Sequence, residues 1–176
     1  MRTAILFPAL IWIASAAACR PSSAPEAREV APELRLQGVG FRIWRGTDLR
    51  ASGEAAAVAL RRDSTEIWAH DLVVSLPRPE GRPVKVSAPE GEGTLQTRTF
   101  SARGGVTVER GGDVTRTERA RYEPGPGGGT VRGDDPVVVE GRGYRLEGAG
   151  FTLDPATGDM DIGGPARLLA GLREAR

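Results

Sequence analysis

Residues 133–162 read GDDPVVVEGRGYRLEGAGFTLDPATGDMDI, and this stretch decides the fold class. Apolar side chains come in spaced pairs: Val137 and Val139, Tyr144 and Leu146, Phe151 and Leu153, Met160 and Ile162. Between and opposite them lie Val138, Arg145, Glu147, Thr152, Asp159 and Asp161. A period of two puts each pair on one side of a β-strand. Asp154-Pro-Ala-Thr-Gly158 has hairpin chemistry: the aspartate opens the turn, the proline pre-sets φ, and the glycine takes the left-handed position. Gly148 and Gly150 interrupt the register, and a bend there lets Tyr144/Leu146 and Phe151/Leu153 face one interior.

The same pattern spreads outward in both directions. Leu34–Arg45 alternates with Phe41 and Ile43 on one face. Ala51–Leu60 puts Ala55, Ala57 and Ala59 on one face; Gly53 and the flanking patterns favour a strand over the helix that alanine alone would suit. In Thr65–Leu76, Ile67 and Ala69 have one parity and Leu72, Val74 and Leu76 the other, so a bulge or shift is expected near His70. Pro77–Pro83 reads as a loop. Val84–Val86 reads as a short strand that Gly91–Gly93 separates from Thr94–Ala102. Val106 and Val108 share a face, Arg110–Asp113 is a hairpin signal, Val114–Tyr122 follows, and Glu123–Gly129 is a turn or loop. Ala166–Leu169 reads as a last strand. Many short strands with turn residues between them predict an all-β, antiparallel sandwich, jelly roll or meander.

Composition agrees. Glycine (24) and proline (13) are abundant and aromatics make up 5%, which favours turns and short strands over helices. Lys+Arg (24) nearly balances Asp+Glu (23), so no strong field draws the chain to nucleic acid. The arginines are dispersed and not interleaved with aromatics, which also argues against a nucleic-acid partner.

The N-terminus reads as a targeting segment. Arg2 precedes an apolar run, Ile5–Ala14, too short to span a bilayer comfortably. Ser15–Ala18 supplies small residues, and Cys19 is the only cysteine. The order Ala16-Ala17-Ala18-Cys19 resembles a bacterial lipobox, with Ala16 where leucine is usual. That resemblance implies lipid attachment at Cys19; an ordinary signal peptide cut at Ala18, or an uncleaved signal anchor, are the other readings. The expected organisation is a signal at 1–18, a lipidated proline-containing tether at 19–33, a β-domain at 34–170 and a tail at 171–176.

Catalytic and metal chemistry find little support. His70 is the only histidine, its neighbour Asp71 would point to the opposite face of a strand, and no Gly-x-Ser-x-Gly elbow exists. One histidine and one cysteine cannot furnish a zinc site. The aspartates at 134, 135, 154, 159 and 161 lack calcium-loop spacing and suit turns and a solvated face. No catalytic residue, metal or cofactor is expected. What remains is the apolar face. It must be buried against another sheet or against a ligand. An acyl chain gains about 0.8 kcal/mol per buried methylene, so an incompletely closed fold of this kind binds lipid tails without a catalytic group.

Several phrases resemble the LptC/OstA-like family of lipopolysaccharide export. They are Phe100-Ser-Ala-Arg-Gly-Gly-Val-Thr-Val108, Thr117–Tyr122, Val131-Arg-Gly-Asp-Asp-Pro-Val-Val-Val139 and Gly143–Asp154. The resemblance covers about residues 34–169 and is clearest over 99–164. It implies a β-jelly-roll, or folded "taco", with an open apolar groove for the acyl chains of lipid A, in the periplasm. Its implied partners are lipopolysaccharide, the subunits of an inner-membrane ABC transporter, and a soluble bridge protein joined by edge-strand addition. LptC-type proteins keep an uncleaved transmembrane helix; here the lipobox-like segment takes its place, with the inner membrane the favoured anchor. The expected groove residues are Val106, Val108, Val137, Val139, Tyr144, Leu146, Phe151, Leu153, Met160 and Ile162. The alternative is that they pack a closed core in a structural or scaffold lipoprotein of the envelope.

Overall fold

A computed structural model describes residues 33–125 and 128–171. The expected signal, Cys19, nearly all of the tether, and residues 172–176 lie outside the described residues. The described chain is almost wholly antiparallel β-structure, in one twelve-stranded sheet. The strands are β1 (Glu33–Arg45), β2 (Asp48–Arg61), β3 (Glu66–Leu76), β4 (Val84–Thr94), β5 (Thr99–Arg110), β6 (Asp113–Glu123), β7 (Thr130–Gly133), β8 (Val137–Gly141), β9 (Tyr144–Gly148), β10 (Gly150–Leu153), β11 (Met160–Gly163) and β12 (Arg167–Ala170). β1 to β6 form a meander. The sheet then forks. β7, β10 and β11 continue from the Arg121–Glu123 half of β6, while β8, β9 and β12 continue from its Val114–Arg116 half.

The fork reflects a crease that crosses the sheet. In β1, β2, β3, β4 and β6 the inward-facing parity changes once, and β5 crosses the same level with a register shift. In β3, Ala69 and Leu72 both lie against Gly91, although they have opposite parity. Between them Asp71 takes a left-handed conformation, φ 51°. In β1 the change falls at Gly38 (φ 59°); in β5 two successive left-handed residues, Gly104 and Gly105 (φ 83° and 94°), leave Phe100, Ala102, Val106 and Val108 on one parity. A left-handed residue rotates the strand and turns its next side chains to the other face, which glycine does at least cost. The β4–β5 and β5–β6 registers shift at the same level, between Ser87 and Glu90 and between Arg103 and Val106. β7–β8 and β9–β10 break there at Asp134–Pro136 and Ala149. The sheet therefore has two leaves. Leaf A holds Val39–Arg45, Leu72–Leu76, Val84–Ala88, Val106–Arg110 and β8, β9 and β12. Leaf B holds Glu33–Gln37, Glu66–His70, Gly91–Thr94, Thr99–Arg103 and β7, β10 and β11.

The leaves pack face to face toward the C-terminal strands. A single core joins Val84, Val106, Val108, Val137 and Val139 of leaf A to Ala102, Ala120, Val131, Phe151 and Leu153 of leaf B. The inner aromatics lie on glycines directly across the ladder. Phe41 pairs with Gly53, Phe100 with Gly93, Phe151 with Gly133 and Tyr144 with Gly141. A Cβ on any of these glycines would come within 2.1–2.5 Å of its ring. The missing side chain is the space the ring fills.

The outer faces carry ion pairs. Arg119 makes a bidentate pair with Asp135 at 2.8 and 2.9 Å. Arg103 bonds Glu90 at 2.6 Å, and Glu140 lies between Arg116 and Arg145. The hydrogen bonds from their arginines hold the carboxyls of Glu90, Asp135 and Glu140 below the usual carboxylate range.

Three local expectations need correction. Ala57 and Ala59 do not share the face of Ala55: they pair with His70 and Trp68 on the outer side, because the crease at Ala56 turns Val58 and Leu60 inward. Gly91–Gly93 does not end a strand; it lies within β4, where the glycines make room for Leu72 and Phe100. Near His70 the parity changes as expected, but the pairing stays in step on both sides, so the irregularity is the conformation of Asp71 and not an inserted residue.

Candidate interior site between the leaves

Two rows of inward residues cross the sheet from edge to edge. In leaf B the row runs Leu34, Leu60, Ile67, Gly93, Phe100, Tyr122, Val131, Leu153 and Met160, each paired with the next. In leaf A it runs Phe41, Gly53, Val74, Val86, Val108, Thr115, Val139, Leu146 and Leu168. The rows meet where Thr115 Oγ1 lies 3.6 Å from Met160 Sδ. On the crease side, the Ala149 N–H donates to Gly163 O at 2.9 Å, and Ile162 packs over Gly148.

Burial changes along these rows. Leu153 and Val108 are fully buried, whereas Leu34 at the β1 end is 49% exposed and Leu36 is 37% exposed. Val58, Leu60, Ile67, Phe41 and Ile43 are half-buried. The interior is thus packed toward β8–β11 and, among the described residues, uncovered toward β1; at the other end of the leaf A row Leu168 on β12 is 61% exposed. Fully covering a leucine-sized side chain contributes about 1.5–3 kcal/mol. The strip at β1 forgoes much of that.

The ten sequence-derived residues all face this interior. Val106, Val108, Val137, Val139, Phe151 and Leu153 are only 0–4% exposed. Tyr144, Leu146, Met160 and Ile162 are half-buried against the same core. They line the packed part of the interior. The uncovered part is made by Leu34, Leu36, Val58, Leu60 and Ile67, which sequence reasoning did not select. The spacing of Leu34 and Leu36 was a visible signal, but their partners became identifiable only through the parity change at Gly38.

Polar chemistry in the interior is sparse. Thr115 and Thr117 are its buried polar residues. The Tyr122 hydroxyl donates to Gly128 O at 2.7 Å, and burial pushes its phenol up from the ordinary tyrosine value. His70 is exposed on the outer face. Among the described residues no group of three His, Cys, Asp or Glu side chains could hold a metal ion, and no helix is long and apolar enough to cross a membrane. The described lining of the interior is almost wholly apolar. No protein-family model matches the chain, and no curated protein matches its sequence.

Proposed function

We propose that the chain is a periplasmic, lipid-anchored carrier of lipopolysaccharide, holding lipid A acyl chains between the two leaves. It receives them from an inner-membrane ABC transporter and passes them to a soluble bridge protein by strand addition at a sheet edge. The observation that carries this reading is the apolar strip Leu34–Leu36–Leu60–Ile67 on an inner face that no other described element covers. Acyl chains are its natural complement, because their burial needs no polar partner. Among the described residues β1, with thirteen residues, is a long edge strand, and β11 and β12 are short ones; such edges invite pairing with another chain. The anchor at Cys19 and the inner-membrane location belong to the same proposal.

The burial of six of the ten residues favours a second reading, an envelope scaffold lipoprotein with a closed β-core. The purified full-length protein distinguishes them. Under the carrier reading it binds lipopolysaccharide, and Leu36→Asp with Ile67→Asp lowers the affinity at least about tenfold, since each charge displaces an apolar contact. Absence of binding by the folded wild-type protein supports the scaffold.

A further inference from the structure

We propose that the Asp154–Gly158 turn is a strap that holds the mouth between the leaves shut and opens without unfolding the sheet. The mouth lies opposite the crease, where the strand ends of the two leaves meet. The turn belongs to leaf B, between β10 and β11. Two arginines of leaf A grip it. Arg78, in the β3–β4 loop, donates Nη2 to Thr157 O, and Arg110, at the end of β5, donates Nη1 to Gly158 O. The Arg78 guanidinium lies on Gly158, where an added Cβ would stand 2.7 Å from Cζ. Arg110 also bonds Asp113 at 3.2 Å, which fixes its direction.

The turn keeps its own shape. Gly158 N donates to Asp154 O at 2.7 Å, Asp154 N to Asp159 O at 2.9 Å, and Ala156 N to Asp154 Oδ1 at 2.8 Å. Among the described residues its polar ties to leaf A are the two guanidinium–carbonyl bonds, and water can replace both. Arg78 holds its grip with Nε shielded from solvent and lacking a partner among the described residues, which favours release. Directly behind the strap lie Met160 against Thr115, then Leu153 and Val108. Release would part the leaves from the mouth inward, and the crease would act as the hinge. A long-chain molecule could then pass sideways instead of threading from the β1 end. That cargo rests on the proposed function; the strap itself does not.

A matched pair of cysteines tests it in the full-length protein. Val108 and Val106 face inward on β5 and are equally buried; Val108 lies toward the mouth and Val106 beside the crease. Val108→Cys and Val106→Cys are alkylated with N-ethylmaleimide, with and without Arg78→Ala/Arg110→Ala, and read peptide by peptide to separate Cys19. The expected result is at least about a tenfold faster reaction at position 108 and an unchanged rate at 106. Equal acceleration at both positions, or none at 108, overturns the strap. Where the double variant does not fold, Arg78→Ala alone is read the same way. The assay contains no lipid, so it fails or succeeds independently of lipopolysaccharide binding.

Discussion

Replacing Phe151 by alanine is expected to lower the unfolding free energy by about 3–5 kcal/mol. Phe151 is 3% exposed and lies in the core that joins the leaves. It pairs with Gly133 on one side and Ile162 on the other. Truncation removes the ring's transfer energy and leaves a hole above Gly133, which has no side chain to relax into it. A domain of this size has about 5–15 kcal/mol to lose, so the variant stands near the edge of folding. Urea unfolding measures the effect, and an unchanged m-value shows that the loss is in stability and not in the denatured state.

The second large effect comes from adding atoms instead of removing them. Gly133→Ala places a Cβ 2.5 Å from Phe151 Cε1 and 2.9 Å from the Arg119 carbonyl oxygen. A ring could swing away, but the backbone carbonyl cannot do so freely. The expected cost is about 2–3 kcal/mol, at the upper end for overpacking. In a Phe151→Ala background the ring clash is gone and only the carbonyl contact remains. The two substitutions therefore do not add, and the double variant is more stable than their sum by about 1 kcal/mol or more. Simple additivity would show that the ring does not occupy the glycine's space.

These two experiments address a feature the sequence concealed. Alternation at Val137, Val139, Phe151 and Leu153 gave their facing directly, because each pair falls within one short strand. The turn at Asp154–Gly158 was equally readable from its residue types. The long strands were harder. Ala55, Ala57 and Ala59 look like one face, yet the crease divides them, since parity along a strand holds only while every residue stays in the β-region. Asp71 shows why the change is hard to see: a non-glycine residue at φ 51° carries no strong local signature. Gly91, Gly93 and Gly133 read as punctuation but serve as seats for side chains across the ladder. Sequence alone pairs no glycine with its aromatic partner, because register depends on which strands are neighbours. The uncovered strip was missed for the same reason: Leu36, Val58 and Ala69 form one row only after three strands are aligned.

The crease also gives the proposed carrier a physical logic. A closed sandwich of two independent sheets would need no parity change within its strands. Here β1 to β6 run through both leaves, so the leaves are tied along one side and separable along the other. Toward β1 the described residues leave apolar surface uncovered; toward β8–β11 the leaves share a packed core. An acyl chain bound at the exposed strip would extend the core toward β1 and stabilise the native state by mass action.

The most direct test of lipid carriage is site-specific photo-crosslinking in cells. A photoreactive residue is placed at Leu36 and at Ile67 on the inner face, with Arg35 and Glu66 as their outward-facing neighbours. The carrier account predicts lipopolysaccharide adducts at Leu36 and Ile67 and none at Arg35 or Glu66. A folded protein that gives no adduct at Leu36 or Ile67, or equal adducts at all four positions, would contradict it.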